Sequence, residues 1–149
     1  MRAVVQRVSQ ASVDVGDERV AEMGAGLLVL VGVAKGDDER AAADLAKKIA
    51  GLRIFEDAEG KMNLSLQDTG GTLGLVSQFT LLADARKGRR PSFGEAAPPE
   101  IAEPLFERVV AEAQAIGLPV VTGRFRTRMQ VSLVNEGPVT LLLDTDRTF

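Results

Sequence analysis

A length of 149 residues fits one domain, and a chain of this size buries roughly two thirds of its unfolded surface. With 45% hydrophobic and 26% charged residues it excludes disorder, and with no Cys and no His it excludes disulfides, thiolate nucleophiles and a Ser-His-Asp triad, and leaves a zinc enzyme without its usual ligands. A net charge of −3 excludes a bulk polycation, so any nucleic-acid contact needs a local basic patch.

The first residues, Met1 to Arg7, carry charge where a secretory leader would need an apolar core. The longest apolar run, Leu27 to Ala34, is too short to span a bilayer, so a soluble cytoplasmic protein is expected. Residues 3–8 and 11–15 alternate apolar with polar or small side chains, which predicts strands. Gly16-Asp17 then predicts a hairpin into Arg19-Val20-Ala21. Residues 27–33 are apolar on both faces and predict a central strand. Gly24-Ala25-Gly26 before it has a dinucleotide-motif look, but a strand follows where that motif needs a helix.

Asp37 or Asp38 offers an N-cap, and Ala42, Leu45, Ile49 and Leu52 follow at helical spacing, predicting a helix over 38–52. A short extended piece at Ile54-Phe55 and a turn over 57–60 come next. Residues 73–79 predict another buried strand, and 84–99 a long loop of Arg, Gly, Pro and Ala. Pro98-Pro99 opens a second helix whose apolar stripe is Ala102, Leu105, Phe106, Val109, Ala113 and Ile116; Gly117 and Pro119 stop it. Strands over 119–122, 129–134 and 139–144 complete an α/β or α+β domain with a mixed sheet and two main helices. No repeat, linker or internal boundary interrupts residues 1–149, which are expected to form a single domain.

Three stretches bear on function. Ser77-Gln78-Phe79-Thr80 puts two hydroxyls and an amide at the end of a buried strand, where sites tend to be built; a strand end with its polar groups satisfied by turn bonds is the plainer alternative. Arg86, Lys87, Arg89 and Arg90 share a loop, and Arg124, Arg126 and Arg128 are spaced by two, so an extended backbone would turn all three to one face. These seven could follow a phosphate backbone, or form a solvated loop and a charged edge that blocks aggregation. Asn135-Glu136-Gly137-Pro138-Val139-Thr140 joins two strand-like runs and reads as ordinary turn punctuation, with a trans bond before Pro138 favoured by frequency.

Taken together, Ser77-Gln78-Phe79-Thr80 and Asn135-Glu136-Gly137-Pro138-Val139-Thr140 resemble the two signature motifs of D-aminoacyl-tRNA deacylases. The resemblance extends over nearly the whole chain, through Gln6-Arg7-Val8, Leu52-Arg53-Ile54-Phe55, Gly60-Lys61-Met62-Asn63, Arg90-Pro91-Ser92-Phe93 and Met129-Gln130-Val131-Ser132-Leu133. It implies a fold of mixed, largely antiparallel sheets that is barrel-like in a homodimer, with the active site at the subunit interface. It implies a cis bond between Gly137 and Pro138, the pair reaching into the other subunit's pocket to select handedness beside Met129 and Asn135. It implies cleavage of D-aminoacyl-tRNA, and of glycine misattached to alanine tRNA, with help from the 2′-hydroxyl of the terminal adenosine and with no cofactor or metal. Ser77, Gln78, Phe79 and Thr80 would form the catalytic segment, with backbone N–H groups as oxyanion donors. Thr80 would position groups, since no base is identifiable beside it to make it a nucleophile.

In one place the chain departs from the pattern. Members usually carry small residues between the Phe and the Met before the last strands, where this chain has Arg126-Thr127-Arg128. Two other functions remain open on the residues alone: a non-catalytic tRNA-binding module, and a hydrolase of small D-amino acid esters or amides that needs no RNA.

Overall fold

The computed structural model describes residues 1–149. Strand β1 (Arg2–Val15) is the spine. On one edge it pairs antiparallel with β2 (Glu18–Met23) and β3 (Gly26–Gly32), and on the other with β8 (Gln130–Asp144). The sheet continues in parallel from β3 to β6 (Thr72–Ser77) and β7 (Val120–Thr122). It also curls, bringing β2 against β6 and β7, so the sheet approaches closure into a barrel. A two-stranded ribbon of β4 (Phe55–Glu56) and β5 (Met62–Leu64) stands apart.

The expected central strand is β3: Leu27, Leu28, Val29 and Val31 are all buried. Its alternation divides the interior. Leu27, Val29 and Val31 face a core shared with helices α1 (Glu39–Gly51) and α3 (Pro99–Ile116), whereas Leu28 and Leu30 face a second core inside the curl. The two predicted runs of β1 form one continuous strand that changes sides. Ala3 and Val5 join the helix-side core, while Val8, Ala11 and Val13 join the other. Strict alternation puts Val8 opposite Val5 but would return Ala11 to Val5's face. The register shift between Val8 and Gln10 inserts the extra residue that prevents it.

Both helices begin and end where their signals lie. Asp38 caps α1 by accepting from the Ala41 N–H at 2.9 Å. Asp37 instead accepts from the N-terminal ammonium at 2.9 Å and the Ala34 N–H at 2.6 Å. Gly117 closes α3 in the left-handed conformation. The short helix α2 (Leu66–Thr69) is additional to the two expected helices, and a reciprocal capping box between Ser65 and Asp68 sets its start.

Two boundaries differ from expectation. Strand β6 ends at Ser77, and Phe79–Leu82 forms a 3-10 turn rather than continued strand. This turn sits on the end of β3, the Gln78 N–H donating to the Val31 carbonyl at 2.7 Å. The approach is too close for any side chain at Gly32: an added Cβ would lie 2.6 Å from Leu82 Cδ2 and 3.0 Å from the Gln78 carbonyl oxygen. The runs 129–134 and 139–144 likewise form one strand, β8, because β1 offers a continuous row of hydrogen-bonding groups for both. No helix is long and apolar enough to cross a membrane.

Replacing Gly32 by Ala is expected to lower stability by about 1–3 kcal/mol through overpacking. It should also shift the 79–82 turn, visible as amide chemical-shift changes at residues 78–82 on top of a lower urea midpoint.

Candidate active site

The end of β6 and the turn after it form the floor of a pocket of about 540 Å³. It is lined by Ser77, Gln78, Phe79, Thr80, Phe125, Arg126, Thr127 and Met129, with Val33, Ala97, Pro99 and Ala102 behind. Three parts of the chain distant in sequence therefore meet here: the β6 end, the start of α3 and the turn before β8. All four residues of the predicted catalytic segment are present, as is Met129. The Gln78 side-chain amide donates to the Thr80 hydroxyl at 2.9 Å. No His, Cys, Lys or carboxylate lines the pocket, so Thr80 has no base beside it. The N–H groups of Phe79 and Thr80 open the 3-10 turn and so have no acceptor within it. Arg2 steadies the same turn, donating to the Leu81 carbonyl at 3.1 Å.

Gly137 and Pro138 lie elsewhere. In the β1–β8 ladder Gln6 faces Thr140 and Val8 faces Asn135, so residues 136–139 stand opposite Arg7 alone and leave the sheet as an excursion. The Gly137–Pro138 bond within it is cis. Both residues are exposed, and neither lines the pocket of its own chain.

Two side chains hold the excursion. Asn135 is its clamp rather than a group aimed at the pocket. Its Oδ1 accepts from the Val139 N–H at 2.7 Å, and its Nδ2 donates to the Val139 carbonyl and the Thr140 hydroxyl, each at 3.1 Å. Arg7, only 8% exposed, donates from Nε to the Glu136 carbonyl and from Nη1 to the Ile54 carbonyl, both at 2.8 Å. No carboxylate pairs with it; main-chain dipoles alone accept its donors. Arg7 appeared in the sequence only as part of a resembling segment, and nothing local marks it as a support for a loop some 130 residues away. Gly137 is fixed by crowding as well as by a φ of +149°: an added Cβ would lie 2.7 Å from Val139 Cγ2 and 2.8 Å from the Val139 nitrogen.

The basic residues divide into engaged and free. Asp84 and Ser92 exchange backbone hydrogen bonds of 2.7 and 2.8 Å, closing an exposed tip that carries Arg86, Lys87, Arg89 and Arg90. Arg86 grips Asp84 side-on at 2.9 and 2.7 Å, and that bond is the main reason the Asp84 carboxyl is held down to about 2, below the usual carboxylate range. Arg124 pairs with Glu18 at 3.1 Å. Lys87, Arg89, Arg90, Arg126 and Arg128 have no carboxylate partner. The expected single face of Arg124, Arg126 and Arg128 does not form, because 124–128 is a turn rather than a strand: Arg126 has a φ of +59° and the Thr127 hydroxyl donates to the Arg124 carbonyl at 2.8 Å. At the pocket's exposed side Phe79 meets Phe93 edge-on, with ring centroids 5.1 Å apart.

Sequence and fold find the same counterparts. Residues 4–144 match the family model described as D-Tyr-tRNA(Tyr) deacylase, and the chain belongs to that family, which makes it a hydrolase. It is 60% identical over 149 residues to the D-aminoacyl-tRNA deacylase of Symbiobacterium thermophilum, covering 100% of this chain and 99% of that one. The D-aminoacyl-tRNA deacylase of Desulfitobacterium hafniense is also 60% identical over 149 residues, with both chains fully covered. Among solved structures, one titled c-Myc DNA Unwinding Element Binding Protein superposes with a TM-score of 0.92 at 39% identity, covering 97% of this chain and 98% of that one. A probable eukaryotic D-amino acid tRNA deacylase superposes with a TM-score of 0.79 at 18% identity over 95% and 97% of the two chains, a likeness of fold.

Replacing Asn135 by Ala strips the buried Val139 of the partner for its N–H and should cost about 1–3 kcal/mol. Faster amide hydrogen exchange at Val139 and Thr140, with β3 and β6 unchanged, is the expected local signature.

Proposed function

We propose that this chain hydrolyses the ester joining a D-amino acid to tRNA, and that two copies of the chain build each site. One observation carries the reading. The pocket over Ser77–Thr80 stands open, while the excursion bearing Gly137 and Pro138 stands exposed and away from it on the same chain. A second copy would complete each pocket. Strand β8 pairs only with β1, so its other edge is unpaired along the two runs that flank the excursion, with Val134 and Leu142 exposed on them, a surface that folded proteins ordinarily cover.

In that arrangement the main chain of Gly137 and Pro138 faces the substrate's α-carbon, its carbonyl oxygens toward the α-amino group and its bulk where an L side chain would go. Met129 lines the opposite wall, and Asn135 holds the excursion in place. Glycine has no side chain to reject, so glycine misattached to alanine tRNA is a substrate too. Phe79 and Thr80 offer N–H donors to the oxyanion. Removing one such donor costs roughly 3–4 kcal/mol in other hydrolases, so donors already aimed are a sufficient main contribution. Ser77, Gln78 and Thr80 orient the ester. The pocket lining holds no His, Cys, Lys or carboxylate to act as a base, which fits the acid–base help from the 2′-hydroxyl of the terminal adenosine that the family resemblance implies. Lys87, Arg89, Arg90, Arg126 and Arg128 are the residues free to meet the tRNA backbone, and Arg86 and Arg124 are committed to Asp84 and Glu18. The cytoplasm, where charged tRNA is used, is the proposed place of work.

Incubation with D-tyrosyl-tRNA and L-tyrosyl-tRNA should release tyrosine from the D ester alone; equal hydrolysis of both, or of neither, refutes the proposal. Sedimentation equilibrium should return about twice the 15.8 kDa of one chain, and a monomer at micromolar concentration would remove the shared site.

A further inference from the structure

We propose that Arg126 grips the phosphodiester that precedes the ester-bearing nucleoside of the substrate. The inference rests on the deacylase reading of the same pocket and adds to it a specific contact at the rim. Among the 12 residues around the pocket Arg126 is the only charged one. The other polar groups, Ser77, Gln78, Thr80 and Thr127, are neutral and suited to an ester and a nucleoside.

The turn that carries Arg126 is held on both sides. Phe125 packs against Phe106 of α3 with ring centroids 6.4 Å apart, the Thr127 hydroxyl closes onto the Arg124 carbonyl, and Met129 packs on the core inside the curl. Between these anchors Arg126 adopts a φ of +59°, a left-handed conformation that residues with a long side chain rarely occupy. Such strain persists where the surroundings impose it, and it collects at ligand sites. Arg124, two residues earlier, is taken up by Glu18, whereas Arg126 has no counter-ion in the chain.

The chemistry of the substrate then selects the partner. In an aminoacyl ester the amino acid's carboxylate has been consumed, so the nearest anion is the phosphate on the 5′ side of the same ribose. A guanidinium meets two phosphate oxygens in a fork that no neutral residue of the pocket provides.

Adenosine 5′-monophosphate and adenosine, titrated calorimetrically into the full chain and into R126G, test this without requiring turnover. Glycine accepts the left-handed backbone, so R126G should melt no lower than the parent; R126Q, which keeps the length and drops the charge, serves as the second variant. The parent should bind the monophosphate about tenfold more tightly than the nucleoside, and both variants should lose that preference. Equal affinity of the parent for the two ligands, or a preference that survives in R126G and R126Q, overturns the proposal. With D-tyrosyl-tRNA, R126G should raise KM about tenfold, and the slope of log KM against log salt should fall by about 0.7, while R40A on the outside of α1 changes neither. Hydrolysis with unchanged KM and slope in R126G sinks the role of Arg126 and leaves the deacylase reading standing. A monophosphate preference without any hydrolysis does the reverse.

Discussion

Residues 136–139 leave a ladder that resumes on either side of them, which requires other groups to take over the hydrogen bonds the ladder gives up. Asn135 binds both the N–H and the carbonyl of Val139, and Arg7 binds the Glu136 carbonyl. Backbone groups left unpaired in a buried setting cost about 1–3 kcal/mol each, so without these two side chains the strand would tend to close up and draw Gly137 and Pro138 back into the sheet. The positions of both residues in space thus depend on an amide and a guanidinium that need not touch a substrate. Arg7 also reaches the Ile54 carbonyl, tying the excursion to the segment that follows α1.

The pocket is built on the same economy of side chains. A chain with neither His nor Cys has no ordinary proton shuttle or soft nucleophile, and the floor of the pocket is a 3-10 turn whose leading N–H groups are its most directional feature. Position therefore matters more than titration. Gly32 sets that position from below, because the turn rests on the β3 backbone at a distance no side chain could share. The helix-side core fixes the sheet from which both the turn and the excursion emerge.

Much of this was legible before the fold was known. The two-faced apolar run of β3, the Asp38 cap, the apolar stripes of α1 and α3 and the Gly117 stop all lie where local periodicity and capping chemistry put them. That Ser77–Thr80 ends a buried strand was legible from its pattern, and the structure sets this segment at the floor of a pocket. Features that depend on a remote partner were not. The merging of two runs into β8 reflects the length of β1, 130 residues away, and Phe79 leaves the strand because the turn must seat on β3. The turn at 124–128 overrode the two-residue spacing of its arginines because Phe125 is anchored on α3. Which cations are free is likewise a matter of neighbours, as Glu18 and Asp84 decide for Arg124 and Arg86.

Strand β1 serves two cores with one backbone, and a single surplus residue near Ser9 is what permits it. Losing that residue would rotate everything downstream by half a turn. Ala11 and Val13 would then present themselves outward, while Ser12 and Asp14 would be driven into the curl. Substitutions in this stretch alter single contacts, whereas a one-residue deletion inverts a whole segment. Homologues of this length should therefore vary in residue type along β1 far more readily than in the number of residues it contains.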